Sequence, residues 1–293
     1  MATIKVAEIF HSLQGEGLWV GVPSVFLRTF GCNFECRGFG LPNGQYSTEP
    51  EEYAEQYKVN PEWTYNDLPL AKTGCDSYAS WHKGFKDLSP KLSVDSVVDE
   101  IETARLAAGG DPTNNGGTHL VITGGEPLLG WQRAYPELLD KVLEKGYKEV
   151  TFETNGTQKI VDTFADYMFL QQIKGAEHDQ HINFTFSVSP KLYMSGEDEC
   201  DALKPEIVAD YQRFGTVYLK FVVADHSDMA DVLEFVEAYR EAGWDGEVYL
   251  MPCGGISDMY NENAPEVAQL AIQHGFRYSP RLQVDLWKNA WGT

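Results

Sequence analysis

The sequence has few basic residues and no long apolar run. Its 23 Lys and Arg stand against 44 Asp and Glu, which gives a formal net charge of −21. Such an acidic chain repels phosphate backbones, so we expect no nucleic-acid partner, and the acidity favours solubility, as in a salty cytoplasm. No apolar stretch approaches the roughly 20 residues of a membrane span, and the first residues lack a signal-peptide core. We therefore expect a cytoplasmic protein with no membrane partner.

Cysteine is also scarce, and its distribution is uneven. Five cysteines are an odd number, which argues against a disulfide framework. Cys32 and Cys36 form a CxxxC pair, and Cys75 follows later in the chain. Soft thiolate ligands suit iron–sulfur clusters. Two alternatives stay open: the cysteines are small buried hydrophobes, or they form a structural zinc site completed by His11 or His82.

Apolar strands alternate with helical stretches from about residue 93 onward. The strand segments are 119–122, 149–152, 184–188, 217–223 and 247–251, after a strand–turn–strand unit over residues 4–30. Alternation of this kind predicts parallel βα units in one α/β domain over residues 1–293. About six strands are expected, fewer than a full eight-stranded barrel. Polar and glycine-rich clusters follow the strands, at the edge where parallel α/β folds place their sites.

Residues 37–74 interrupt this alternation. The segment holds four prolines and six aromatic side chains, namely Phe39, Tyr46, Tyr53, Tyr57, Trp63 and Tyr65. So many aromatic residues argue against a flexible linker. We expect an ordered insertion with a short helix around Pro50 to Tyr57, acting as a lid over a site or as a docking surface for a reductant. A merely tolerated insertion with no catalytic role is the alternative.

Seven short blocks are spread over nearly the whole chain outside this insertion. They are Leu13-Gln14-Gly15-Glu16-Gly17, Gly31-Cys32-Asn33, Cys75-Asp76-Ser77, Thr123-Gly124-Gly125-Glu126-Pro127, Glu153-Thr154-Asn155-Gly156-Thr157, Ser189-Pro190-Lys191 and Gln283-Val284-Asp285-Leu286-Trp287. In this order and combination they resemble the radical S-adenosylmethionine (SAM) superfamily and, within it, the 7-carboxy-7-deazaguanine synthase family.

The resemblance has one departure. The superfamily pattern CxxxCxxC would place a third cysteine at position 39, which is Phe39 in this sequence. The Cys-Asp-Ser block lies instead at Cys75, so residues 37–74 are interpreted as an insertion between the second and third cluster ligands. A loop of this length adds little closure entropy, because the cost grows only logarithmically.

The resemblance implies a fold, a set of cofactors and a set of site residues. The fold would be a partial, about six-stranded parallel βα barrel of the radical SAM type, with the cluster loop inserted. Cys32, Cys36 and Cys75 would hold a [4Fe-4S] cluster, and Ser77 would ligate Mg²⁺. The residues expected at SAM are Asp76, Gly124, Gly125, Glu126, Thr154, Asn155, Ser189, Pro190 and Lys191. Those expected at the substrate are Leu13, Gln14, Gly15, Glu16, Arg28, Thr123 and Thr293.

Three of these expectations also have a physical argument from the residues. Glutamine and glutamate in a glycine-rich turn can bind the edge of a pterin by paired hydrogen bonds. Arg28 lies in an apolar strand, where an unpaired charge is expensive, so it must meet an anion; a structural ion pair with an acid is the alternative. Near the end of the sequence, Trp287 and Trp291 could anchor the last residues, and so place Thr293 at the strand ends.

The implied reaction converts 6-carboxy-5,6,7,8-tetrahydropterin to 7-carboxy-7-deazaguanine with loss of ammonia, in queuosine-type 7-deazapurine biosynthesis. The cluster would cleave SAM reductively, and the resulting 5′-deoxyadenosyl radical would take hydrogen from C6 of the substrate. The resemblance further implies a one-electron reductant such as flavodoxin, and a homodimer. Two other functions remain open: a radical SAM activase, which would need extra cysteine sets beyond Cys200 and Cys253, and a non-enzymatic zinc-binding module.

Overall fold

The computed structural model describes residues 2–109, 119–177 and 181–293. Its strands are β1 (Thr3–Leu13), β2 (Pro23–Thr29), β3 (Lys91–Ser93), β4 (His119–Gly124), β5 (Glu149–Thr154), β6 (Asn183–Val188), β7 (Thr216–Val223), β8 (Val248–Pro252) and β9 (Arg277–Tyr278). Its helices are α1 (Glu49–Val59), α2 (Val94–Ala107), α3 (Tyr135–Glu144), α4 (Asp162–Glu177), α5 (Glu199–Ala202), α6 (Pro205–Tyr211), α7 (Met229–Glu241), α8 (Ser257–His274) and α9 (Leu282–Trp287). No helix within these described ranges is both long and apolar enough to span a bilayer.

The nine strands form one mixed sheet in the order β3-β1-β2-β4-β5-β6-β7-β8-β9. Strand β1 pairs antiparallel with both β2 and β3, and every pairing from β2 to β9 is parallel. The α/β class is therefore confirmed, whereas the expected number of strands was wrong. The three-residue β3 and the two-residue β9 are too short to produce a period in the sequence.

Alternation along the strands divides the two faces of the sheet. In β7, Val217, Leu219, Phe221 and Val223 join the main hydrophobic core with helices α6 and α7. The intervening Lys220 points to the opposite face, because successive side chains of a strand alternate. Strand β2 repeats the pattern, since its core residues alternate with pocket-facing Phe26 and Arg28. One face of the sheet is thus covered by helices, and the other carries polar side chains.

The predicted insertion is ordered and has a core of its own. Helix α1 covers the predicted short helix around Pro50 to Tyr57. Ala54, Tyr65, Leu68 and Ala71 from the insertion pack in a second hydrophobic cluster with residues that follow Cys75. Tyr46 differs from the other aromatic residues, because 57% of its surface is exposed. Most of the aromatic residues therefore stabilise the insertion itself.

Candidate functional site

A single pocket lies at the carboxyl ends of the parallel strands. All the residues predicted for the cluster, SAM, Mg²⁺ and substrate line it except Glu126 and Pro190. The parallel arrangement explains this convergence, because the loops after β2, β4, β5 and β6 all leave the same edge of the sheet. Pro190 is buried away from the pocket.

Cys32, Cys36 and Cys75 come together in this pocket. They pack with Phe34, Phe39 and Ala202, and each thiol is near enough to another for the charge of one to affect the pKa of the next. Burial raises the pKa of Cys32 to about 12 and that of Cys75 to about 11, so burial by itself favours neutral thiols. Metal binding would displace these protons. Three thiols in an apolar enclosure fit a [4Fe-4S] cluster with one open iron.

The indole of Trp81 adds a donor beside these thiols. Its Nε1 is buried and has no hydrogen-bond acceptor at normal geometry in the described part of the chain. The same indole lies close enough to Cys75 to lower the pKa of that thiol, against the larger raising effect of burial. A buried unpaired N–H facing a cysteine is suited to a sulfur acceptor, which supports the fit of a cluster here.

The loop that carries Cys36 is held by the segment after β6. Glu197 Oε1 accepts hydrogen bonds from the backbone N–H of Glu35 at 2.8 Å and of Cys36 at 2.6 Å. Gly38 N donates to Ser195 O at 2.9 Å. Cys36 has φ +49°, a left-handed conformation that costs energy in a residue other than glycine. The Glu197 carboxylate thus compensates for strain at one of the three cysteines predicted to bind the cluster.

The backbone at Gly125 runs directly against the loop that carries Cys32. A Cβ added at Gly125 would lie 2.4 Å from Gly31 O and 2.7 Å from Cys32 Cβ. Glu126 N also donates to Gly31 O at 2.7 Å. From the sequence, glycine was expected here to let the backbone approach a ligand. In the structure, Gly125 has to be glycine because the loop that carries Cys32 packs against it. Gly124 and Gly125 also line the pocket.

The side chain of Glu126, which was predicted near SAM as part of the Gly124-Gly125-Glu126 segment, makes its hydrogen bonds within the protein. Its carboxylate is completely buried and accepts from Leu128 N at 2.9 Å, Thr154 Oγ1 at 2.8 Å and Asn155 N at 2.7 Å. Burial raises its pKa, and these hydrogen bonds oppose the rise. Glu126 thereby joins the loop after β4 to the end of β5, and its carboxylate is not directed at a cofactor.

The remaining residues predicted at SAM form a polar wall. Asn155 Nδ2 donates to Asn33 Oδ1 at 3.0 Å, which connects the end of β5 to the Cys32 loop. Lys191 Nζ donates to Ser189 O at 3.0 Å and to Ser189 Oγ at 3.1 Å. Within the described ranges, no carboxylate is recorded within salt-bridge distance of Lys191. This wall offers an ammonium and an amide to an anionic ligand.

A buried ion network forms the opposite side of the pocket. Glu16 pairs with Lys220 and with Arg281, whose Nε lies 3.3 Å from Glu16 Oε1, and Gln283 Nε2 donates to the same oxygen at 2.6 Å. Arg281 also pairs with Asp76. Burial alone would raise the pKa of Glu16, but the charges of Lys220 and Arg281 outweigh it and hold the pKa at about 2. Glu16 is therefore a fixed anion.

Gln14 and Gly15 complete this side. Gln14 Nε2 donates to Glu153 Oε1 at 3.0 Å, and Gln14 Oε1 accepts from Glu16 N at 3.0 Å. A Cβ on Gly15 would lie 1.9 Å from Gln283 Oε1, so a larger residue would require the Gln283 side chain to move. The glycine-rich turn after β1 thus lies against polar groups of β5 and α9.

Arg28 has the anionic partner that its position in an apolar strand requires, and it has a polar partner as well. Its Nε lies 3.1 Å from Glu8 Oε2, and its NH1 donates to Ser77 Oγ at 3.0 Å. Ser77 in turn donates to Asp76 Oδ1 at 3.3 Å, and Asp76 is neutralised by Arg281. Mg²⁺ would therefore find one neutral hydroxyl that already accepts from Arg28, beside a single carboxylate that Arg281 already neutralises. These residues alone do not fit a resident Mg²⁺ ion, which prefers anionic oxygen.

The zinc alternative is not supported by the histidines. Neither His11 nor His82 lines the pocket, and His82 Nδ1 instead accepts from Gly84 N at 3.2 Å. Across residues 2–109, 119–177 and 181–293, no three His, Cys, Asp or Glu side chains are grouped to hold a single metal ion. In a cubane each thiolate binds a different iron, so its sulfur ligands stand farther apart than those of one ion.

Sequence reasoning missed several pocket residues. Lys220 is a lone cation in the apolar strand β7, the same signal that identified Arg28. No comparable signal in the sequence points to Arg281, which lies just before α9. Its partners Glu16 and Asp76 are distant in sequence, so only the fold shows the contact. Cys253, predicted as a non-ligand, lines the pocket at the end of β8. Cys200 is exposed on α5.

Thr293 lies at the pocket, as predicted, together with residues 289–292. The anchor is Trp291, whose Nε1 donates to Leu68 O at 3.1 Å. Trp287 is only half-buried at the end of α9 and has no recorded ring contact among the described residues. Of the two predicted tryptophan anchors, the structure therefore places only Trp291 in an aromatic cluster.

Comparison with known proteins agrees with this geometry. No protein-family model matches the chain. The 7-carboxy-7-deazaguanine synthase of Halobacterium salinarum is 32% identical, over 98% of this chain and 91% of the relative. That of Pyrobaculum aerophilum is 29% identical, over 99% and 97%. The crystal structure of QueE from Escherichia coli superposes with a TM-score of 0.51 at 20% identity, covering 94% of this chain and 93% of that one.

The fold and the pocket define the class. A mixed α/β sheet with three cysteine thiols at the carboxyl edge of its parallel strands is the arrangement of a radical SAM enzyme. The likeness over nearly the full length of both chains then identifies the group within that class. The chain belongs to the 7-carboxy-7-deazaguanine synthase family.

Proposed function

We propose that this chain converts 6-carboxy-5,6,7,8-tetrahydropterin to 7-carboxy-7-deazaguanine with loss of ammonia. The observation that carries the proposal is that the three thiols and the polar groups suited to a pterin share one pocket. A radical must form within reach of the substrate, since reacting atoms have to be held about 3–3.5 Å apart for an efficient transfer. Cluster and substrate sites in one cavity meet this requirement.

Cys32, Cys36 and Cys75 would hold a [4Fe-4S] cluster, which supplies the electron for reductive cleavage of SAM. Lys191 and Asn155 are suited to bind the carboxylate and hydroxyl groups of SAM, and Gly124 and Gly125 let the backbone approach it. Phe34 and Phe39 cover the thiols and exclude water. The protein positions the cofactors and the substrate and keeps water out of the pocket, so no side chain need act as a nucleophile.

The substrate would lie between the ion network and Arg28. Glu16 remains ionised and retains acceptor capacity beyond its present partners, so it can accept from the N–H groups of a pterin edge. Gln14 offers both a donor and an acceptor beside it. Arg28 has further N–H groups for a substrate carboxylate, beyond those used by Glu8 and Ser77. Any Mg²⁺ would need that carboxylate as a ligand, because Ser77 supplies only a neutral oxygen.

We also infer that the sheet curves around the pocket as a partial barrel of the radical SAM type. Residues of every strand from β1 to β8 except β3 line the same cavity, including Leu13, Phe26, Lys220 and Met251. A flat sheet could not bring strands so far apart in its order to one cavity. A reductant such as flavodoxin and a homodimeric state are further predictions for this enzyme.

Anaerobic reconstitution with iron and sulfide, followed by incubation with SAM, the pterin and a reductant, tests the proposal. The expected result is about four irons per chain and formation of 7-carboxy-7-deazaguanine. One zinc per chain with no product would favour the non-enzymatic module. A loaded cluster that cleaves SAM but leaves the pterin unchanged would contradict the substrate assignment.

A further inference from the structure

The insertion and the last residues of the chain meet at one aromatic contact. The Trp291 ring lies edge-on to Tyr65, at 5.7 Å between ring centroids, and to Tyr78, at 5.6 Å. Its Nε1 donates to Leu68 O at 3.1 Å. We call Tyr65, Leu68 and Tyr78 the aromatic seat. Two of these three residues belong to the 37–74 insertion, and Tyr78 follows the third cluster cysteine by three positions.

The aromatic seat is itself fixed. Tyr65 Oη donates to Ala79 O at 3.2 Å and lies 2.9 Å from Ser89 Oγ. Tyr78 Oη donates to Pro69 O at 2.7 Å, and its side chain is completely buried. The seat thus connects the insertion to the loop that carries Cys75 and Ser77. A ring held against it cannot move without disturbing buried packing.

The segment that Trp291 belongs to forms part of the pocket wall. Residues 289–293 all line the cavity. Asn289 Nδ2 donates to Gly255 O at 3.0 Å, so the segment is attached at one point to the loop after β8 and at another to the aromatic seat. Segments with few buried apolar contacts open locally at little cost unless something holds them. Edge-to-face aromatic contacts and a hydrogen-bonded indole provide such an attachment.

We propose that the insertion is a positioning element for substrate binding, which holds residues 289–293 against the pocket by seating Trp291. Trp291 is then a positioning residue and makes no contact with the reacting atoms. The insertion was expected to act as a lid or as a docking surface. Its packing gives it, besides any such role, a share in building the substrate site. The part of this proposal that concerns the substrate rests on the proposed function; the seating of the segment does not.

Trp291→Ala tests the proposal in the reconstituted holoenzyme. Hydrogen exchange in residues 288–293 should accelerate by about tenfold or more, and KM for the pterin should rise about tenfold with a smaller change in kcat, which corresponds to about 1.4 kcal/mol of lost substrate binding. Cluster content and SAM cleavage without pterin should stay within about twofold of the parent. Trp291→Phe keeps a ring but loses the hydrogen bond to Leu68 O. Its exchange rate and its KM should lie between those of the parent and of Trp291→Ala.

Tyr65→Leu removes one of the two ring contacts from the side of the insertion and should produce smaller exchange and KM effects in the same direction as Trp291→Ala. The double variant should be no worse than Trp291→Ala alone, because that change already removes the contact with Tyr65. Tyr57→Leu is the matched control, since Tyr57 packs on Phe85 at 5.7 Å and is not part of the seat. It should leave exchange in residues 288–293 at the parent rate.

Two results would overturn the inference. Unchanged exchange in Trp291→Ala would show that the seat does not hold the segment, and faster exchange with unchanged KM would remove the segment from the substrate site. Because hydrogen exchange needs no turnover, it still tests the seating if the parent enzyme fails to convert the pterin. That failure would count against the proposed function alone.

Discussion

Replacing Glu126 separates a structural role from a cofactor role. Glu126→Ala would leave the buried N–H groups of Leu128 and Asn155 without acceptors, whereas the Thr154 hydroxyl can rotate to another partner. Each orphaned buried donor costs about 1–3 kcal/mol, so we expect a loss of about 2–6 kcal/mol in the free energy of unfolding. Glu126→Gln keeps one acceptor oxygen but presents an NH₂ group to a donor, and should lose about half as much.

The assay is equilibrium urea unfolding of the apoprotein, compared among variants. With a slope of about 2–3 kcal/mol per molar, a loss of about 3 kcal/mol lowers the midpoint by about 1 M. Glu247→Ala is the control, because its partner Arg277 is exposed and the pair should contribute less than about 1 kcal/mol. If Glu126→Ala unfolds at the parent midpoint yet binds SAM more weakly, the side chain is a cofactor contact and our assignment is wrong.

Four further predictions follow from the pocket and its surroundings. Alanine at Cys32, Cys36 or Cys75 should abolish the iron–sulfur absorbance, whereas Cys200→Ala and Cys253→Ala should retain it; loss only in either of the latter would reassign the ligands. Glu197→Ala should accelerate cluster loss in air severalfold, with Glu197→Gln intermediate, as measured by the decay of visible absorbance. Ser77→Ala should reduce any stimulation of turnover by Mg²⁺ at constant cluster content; an unchanged Mg²⁺ response would remove Ser77 from that site. Burial lowers the pKa of His119 to about 4, so the unfolded chain takes up this proton first below about pH 6.5. The free energy of unfolding should therefore decrease by up to about 1.4 kcal/mol per pH unit as the pH is lowered from about 6.5 to 4. The urea midpoint of His119→Asn should depend less steeply on pH over this range.

Much of the site could be predicted from the sequence because its blocks are local. Cys32, Cys75 and Ser189 each follow a recognisable strand or stand in a short motif, and parallel strands bring such positions to one edge of the sheet. Helix α1 in the insertion was also predictable, since the aromatic and proline content of residues 37–74 argued for order. Edge strands β3 and β9 were missed because two or three residues carry no period.

The sequence by itself determined the α/β class, the three cysteines and the polar groups at the strand ends, because each depends on neighbours close along the chain. Only the tertiary structure decided how those groups are used. Glu126 became an internal brace, Glu16 was joined to Lys220 and Arg281, and Trp291 was seated on the insertion. These roles depend on partners far apart in sequence, and the energy of a buried charge or an aromatic contact is set by the partner that folding places beside it.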